Sequence, residues 1–240
     1  MLQSYLLAAE ATEKQIDTVA LISLIVVAVV VLAFALVAVF WKNEKGTKAI
    51  VFGAICTALS FVLSFLKIAP VTYGGSITLF SMVPLIIYAY FFGPVYGIVT
   101  GIVYGLLQFI QDPYILVPVT FLLDYVLAFV CFFVAGLFGI AVKKGKMGEL
   151  SGVLCACGFT YLWRFLMHLI SGFVYFKMGA IWVNLPTPNA FVYSFLYQLV
   201  YLGPDFVLAF VALLLLEKKN VLSRLRVLAK QELLSSAAAE

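Results

Sequence analysis

The sequence predicts an all-α integral membrane protein of about seven apolar helices, and three observations carry that expectation. Apolar residues make up 65% of the 240 residues and charged residues only 11%, with a mean hydropathy of +1.15. Water-exposed globular proteins of this length carry about twice that share of charge. The apolar residues fall in runs of roughly 20, the length at which a helix crosses the hydrocarbon core of a bilayer. The runs are continuous rather than alternating, which favours helices over barrel strands. Seven spans and short loops use the whole chain, so one compact domain is expected and no large soluble catalytic domain fits. The formal charge of +4 is gathered in short basic segments between apolar runs, where it acts as an orientation signal; no nucleic-acid partner is expected.

The first run, 18–41, follows Glu10, Glu13 and Asp17 and precedes Lys42, Lys45 and Lys48. That charge order places residues 1–17 outside the cell and marks an uncleaved anchor rather than a signal peptide. Further spans are expected at Ala49–Lys67, Ile77–Phe92, Val95–Gln111, Val117–Val142, Leu150–Phe176 and Ala190–Leu216. Between them lie Pro70 with Gly74 and Gly75, Gly93-Pro94, Asp112-Pro113, the basic loop Lys143 to Lys146, and Pro186 with Pro188. Alternating sides from the first span puts Lys143, Lys144, Lys146, Lys218, Lys219, Arg224 and Arg226 all in the cytoplasm. One span more or fewer between these clusters would strand some of them outside. In the tail, 217–240, Val221, Leu222, Leu225 and Leu228 share one side, as in a short interfacial helix. Cys56, Cys131, Cys155 and Cys157 lie within apolar runs without ligand spacing, so neither a disulfide nor a metal site is expected.

Ionisable side chains at membrane depth are costly and mark functional sites. Arg164, His168, Ser171 and Tyr175 follow i, i+4, i+7, i+11 spacing on one face of the sixth span. Ser194, Gln198, Tyr201 and Asp205 repeat it on the seventh. Equal distances from the connecting loop predict that Arg164 and Asp205 pair near the midplane as a structural ion pair, with His168 level with Gln198 and Tyr201. His168, the only histidine, is placed to meet a ligand. Asp124, beside Tyr125 in an otherwise apolar run, needs a cationic ligand or a cluster of donors. Rings crowd the expected outer ends: Tyr73, Tyr114, Tyr125, Tyr175, Phe176, Trp182, Tyr193 and Tyr197. Rings converging on a carboxylate form a cage for a cation. No P-loop, H-E-x-x-H or G-x-S-x-G motif occurs, which leaves binding or transport as the leading class.

An ordered series of motifs gives this reading a family. GGSITLFSMVPL (Gly74–Leu85), YGLLQFIQDPYIL (Tyr104–Leu116), FLLDY (Phe121–Tyr125), RFLMHLISGFVYF (Arg164–Phe176) and FVYSFLY (Phe191–Tyr197) resemble the thiamine-specific substrate-binding component of energy-coupling factor vitamin transporters. The resemblance covers 48–216. It implies a six-helix capture bundle, with the first span as an addition, in a bacterial plasma membrane. The bundle would work without enzyme activity or cofactor, beside a transmembrane coupling protein and two ATPase subunits. It also implies that Tyr114, Asp124, Tyr125, His168 and Tyr193 contact thiamine, joined by Phe176 and Gln198, where family members often carry Trp and Asn; Glu often stands in place of Asp124. Ala54 and Ala58 match the family's small-residue docking face. Two alternatives stay open: the same scaffold for another vitamin or a thiamine precursor, and a membrane enzyme using Asp124 and His168 as acid and base.

Overall fold

A computed structural model describes residues 46–70, 76–114, 117–177 and 189–227. Six helices follow one another: α1 (Gly46–Ser64), α2 (Val83–Phe92), α3 (Pro94–Gln111), α4 (Pro118–Lys143), α5 (Glu149–Lys177) and α6 (Ala190–Lys218). A short helix, α7, covers 221–227. Helices α3 to α6 are each long and apolar enough to cross a membrane. The expected first span, 18–41, lies outside the described residues, as do the segment 1–17, Tyr73, Trp182 and the end of the tail.

The expected span Ile77–Phe92 divides. Its first residues form β2 (Ser76–Thr78), which pairs antiparallel with β1 (Lys67–Pro70), Lys67 opposite Thr78 and Pro70 opposite Ser76. The helix begins only at Val83, with Pro84 in its first turn, where a missing N–H costs nothing. At ten residues it is about 15 Å long, too short to cross on its own. Eight of its residues are buried, so α2 is the central post of the bundle rather than a lipid-facing span. Hydropathy cannot separate these two cases, because a core helix and a membrane helix are equally apolar. Expected span Ala49–Lys67 likewise ends early, at Ser64, where the chain turns into β1.

Sharp reversals need backbone freedom at one point in particular. Gly93, at φ 108°, closes α2 through its N–H to Ala89 O, and Pro94 opens α3 directly. Asn189 opens α6 by accepting from the N–H groups of Phe191 (2.9 Å) and Val192 (3.4 Å). Met82, Leu85, Ile86, Tyr90, Phe132, Val153 and Leu213 are buried at the centre. Ile50, Ile55, Val62, Phe159, Leu199 and Val207 stand exposed on the outside, the pattern of helices whose solvent is lipid. The tail folds onto one end of the bundle: Leu222 is fully buried, and Arg226 pairs with Glu149 and lies over the Tyr90 and Phe91 rings. Lys143 donates to Phe91 O at 2.7 Å beside it. Arg226 thus packs against this end of the bundle.

Helix α4 is one rod with changing pitch. It is α-helical at Pro118–Phe121, widens to a π-turn over Leu122–Leu127, tightens to a 3-10 turn at Phe129–Cys131 and returns to α-helix from Phe132. Against its wide turn lies Gly105 of α3, so close that a Cβ there would strike Tyr125 O. Gly105→Ala is therefore expected to cost at least the ~1–3 kcal/mol typical of overpacking, because the obstructing atom is backbone and cannot swing aside. Thermal unfolding of the detergent-purified protein measures this loss.

Candidate ligand-binding site

Helices α5 and α6 run antiparallel and bring two polar stripes face to face. At the floor, Arg164 Nη1 lies 3.4 Å from Asp205 Oδ2, with the two side chains 13% and 3% exposed. Asp205 Oδ1 accepts from Thr78 N (3.3 Å) and Thr78 Oγ1 (2.9 Å), and Oδ2 from the Tyr161 hydroxyl (3.0 Å). Since the Thr78 hydrogen is directed to Asp205, Ser81 donates to Thr78 Oγ1 across 2.6 Å. One carboxylate thereby ties the β-pair to both long helices. The Arg164 guanidinium also stacks 4.8 Å above the Phe129 ring. Pro204 interrupts the α6 ladder just before Asp205, leaving Val200 O without its intrahelical N–H, and the Tyr161 hydroxyl also reaches Asp205 O, at 3.3 Å.

Above this floor the π-turn of α4 presents Asp124. Its Oδ1 lies 2.8 Å from His168 Nδ1, and its Oδ2 accepts from Ser171 Oγ at 2.6 Å. A carboxylate only accepts, so Nδ1 carries the hydrogen and Nε2 of a neutral ring is left as an acceptor. Gln198 donates its amide N–H to His168 O at 3.0 Å, which turns Oε1 the other way. Among the described residues, His168 Nε2 and Gln198 Oε1 are both buried without a hydrogen-bond partner. Both residues line one cavity, and buried acceptors without a protein donor favour a ligand that brings donors.

Aromatic rings wall the space. Tyr201 meets His168 edge-on at 6.1 Å, Tyr197 meets Tyr201 at 5.6 Å, and Tyr114 lies against Tyr175 at 5.4 Å. The loop after α3 is pinned by Tyr125, whose hydroxyl donates to Asp112 O (2.6 Å) and accepts from Tyr114 N (3.1 Å). At the rim, Gln111 bonds Ser64 and Gln108, and Lys67 pairs with Asp112 at 3.4 Å. The space these residues surround is about 840 Å³ with its open mouth. That is a narrow slot of the size that takes a vitamin-sized molecule between rings. It lies at the end of the bundle away from Lys143 to Lys146 and Lys218.

Of the residues expected to meet a ligand, Asp124, Tyr125, His168, Tyr114 and Gln198 all line this cavity. Tyr193 and Phe176 pack on each other at 4.9 Å, one layer back, with Tyr193 stacked along α6 behind Tyr197. Ala54 and Ala58 are exposed on the outer face of α1. Lys67, Ser76, Thr78, Ser81, Tyr104, Gln108, Gln111, Asp112 and Phe129 also line the cavity and were not expected there. The two glutamines were visible as amides at i and i+3 at the end of an apolar run. The strand residues were hidden, because their hydroxyls reach the cavity only through the β-pair.

A polar, ring-lined slot opening at one end of an all-α apolar bundle defines a membrane protein built to hold a small ligand. The family model described as thiamine transporter protein matches residues 50–224. Thiamine transporter ThiT of Bacillus subtilis (strain 168) is 31% identical over 171 residues, spanning 68% of this chain and 86% of that protein. The chain belongs to this family of multi-pass membrane transporters and is not an enzyme, in keeping with the motif series read above. Two solved structures share the fold: ThiT from Listeria monocytogenes (23% identity, TM-score 0.58, 71% of this chain and 93% of that one) and the S-component for biotin from an ECF-type ABC transporter (19%, 0.53, 78% and 94%).

The floor makes a direct prediction. Asp205→Ala leaves the Arg164 charge buried without its counterion and frees three donors, and is expected to destabilise the fold by ~3–5 kcal/mol. The paired replacement Arg164→Met with Asp205→Leu should cost clearly less, since no charge is then stranded. Melting temperatures of the three proteins decide the order.

Proposed function

We propose that this chain is the substrate-capture subunit for thiamine in an energy-coupling factor transporter. The observation that carries the reading is the ring-lined carboxylate: Asp124, held by His168 and Ser171, with two unpartnered acceptors, His168 Nε2 and Gln198 Oε1, in the same wall. Thiamine has matching chemistry, a cationic thiazolium joined to an aminopyrimidine whose exocyclic amine donates. The carboxylate answers the positive charge, the Tyr114, Tyr125, Tyr175 and Tyr201 rings supply flat faces for the heterocycles, and the acceptors answer the amine. Sharing one scaffold with a biotin S-component favours a common coupling apparatus with a different pocket. The basic clusters at the far end of the bundle support an orientation with that end in the cytoplasm and the cavity mouth outside.

On this reading, release and energy supply fall to other subunits, a transmembrane coupling protein and two ATPases. The exposed Ala54 and Ala58 on α1 suit close approach of a partner helix.

Isothermal titration of purified protein with thiamine should show saturable binding that riboflavin, biotin and pyridoxine do not displace. Asp124→Ala removes a charge-assisted contact and should weaken binding by roughly 10–100-fold; an unchanged affinity would remove Asp124 from the site. Ala58→Trp should keep thiamine binding while abolishing copurification with the coupling protein and ATPases. Retained assembly would move the docking face elsewhere.

A further inference from the structure

The irregular stretch of α4 is gripped from outside the cavity by a residue that lines no part of it. Trp163 of α5 donates its indole N–H to Leu127 O at 2.9 Å. Leu127 ends the π-turn, and the backbone spacing passes there from the wide i to i+5 pattern, seen in Ala128 N to Leu123 O at 3.0 Å, toward the tight 3-10 turn beyond. A side-chain donor at such a junction holds a helix that would otherwise regain uniform pitch. The indole is fixed in turn, its ring edge-on to Phe133 at 5.1 Å and 88°. On the other side of the same turn, Gly105 leaves no room between α3 and Tyr125 O.

The extra residue in a π-turn matters for the site. Were the turn to become α-helical, Asp124 would change its angular position by about a full residue step, roughly 100°, relative to the helix below it. His168 and Ser171, both on α5, would then no longer meet its two oxygens together. Trp163 sits five positions before His168 on that same helix, so α5 both sets the turn and receives the carboxylate that the turn presents.

We propose that Trp163 is a positioning residue for ligand capture, its indole N–H holding the π-turn of α4 in the register that aims Asp124 at the cavity. The proposal rests on the reading that Asp124 meets thiamine, and the test separates the two. Trp163→Phe keeps a ring and removes the donor. Hydrogen–deuterium exchange without any ligand should show faster exchange confined to 122–131, and unchanged exchange there would overturn the proposal whatever the ligand is. By calorimetry with thiamine, W163F should raise Kd about tenfold. In the Asp124→Asn background the same change should cost at most about twofold, because its effect passes through that carboxylate. An equal loss in both backgrounds, or no loss in the wild-type background, would make Trp163 an ordinary packing residue. Failure of the wild-type protein to bind thiamine would instead count against the ligand assignment and leave the exchange result to decide the role of Trp163.

Discussion

A carboxylate inside a bundle that faces lipid must find every hydrogen-bond partner within the protein, and much of this structure follows from doing so twice. Asp205 draws Arg164, Thr78 and Tyr161 to the floor of the cavity; Asp124 draws His168 and Ser171 to its wall. The donors for each carboxylate come from a helix or strand other than its own, and the elements are thereby fixed to one another. Both carboxylates have both oxygens hydrogen-bonded, and the difference between the two sites lies in the counterion. Around Asp205 both oxygens are used and a full counterion is present. Around Asp124 there is a histidine that can stay neutral, and behind it two acceptors with no protein donor. The first arrangement suits a structural joint and the second a place where a ligand completes the network.

The same division explains why polar groups gather at one end only. At the other end, Glu149, Arg226 and Lys143 are spent on the Tyr90 and Phe91 corner and the returning tail. A basic surface around that knot leaves no cage for a cation. Near the cavity, the exposed pair of Lys67 and Asp112 nearly cancels in water, so among the described residues Asp124 is the carboxylate left to face an entering cation.

The sequence made much of this legible, for physical reasons that differ by element. The long spans were readable because α3 to α6 need lipid-length apolar runs, and the stripes on α5 and α6 because helical period alone places Arg164, His168, Ser194, Gln198 and Asp205 on facing sides. Depth matching by equal distance from a shared loop works for antiparallel neighbours, and Arg164 does stand beside Asp205. What stayed hidden depends on contacts between distant segments. Val83–Phe92 is as apolar as any span, and only packing makes it a buried post. Thr78 reads as part of a membrane run and becomes a ligand of Asp205 through a strand pair of seven residues. The pairing of Tyr193 with Phe176 one layer behind the cavity wall likewise depends on side-chain direction, which spacing does not settle.

The π-turn is the least legible feature and the one nearest to function. FLLDYVLAFVC carries no proline or glycine to announce a break in pitch, and intrinsic preference favours a regular helix throughout. The irregularity is imposed from outside, by a glycine that lets α3 approach the backbone on one side and an indole N–H that occupies a carbonyl on the other. Strain of that kind persists only where surrounding contacts over-determine it, and it gathers at sites that must present a side chain at an angle a plain helix cannot supply. Asp124 and Tyr125 are adjacent in sequence, yet one must reach His168 while the other reaches back to Asp112 O and Tyr114 N. Widening the turn at that point serves both, which makes the pitch of α4 as much a part of the cavity as the residues that line it.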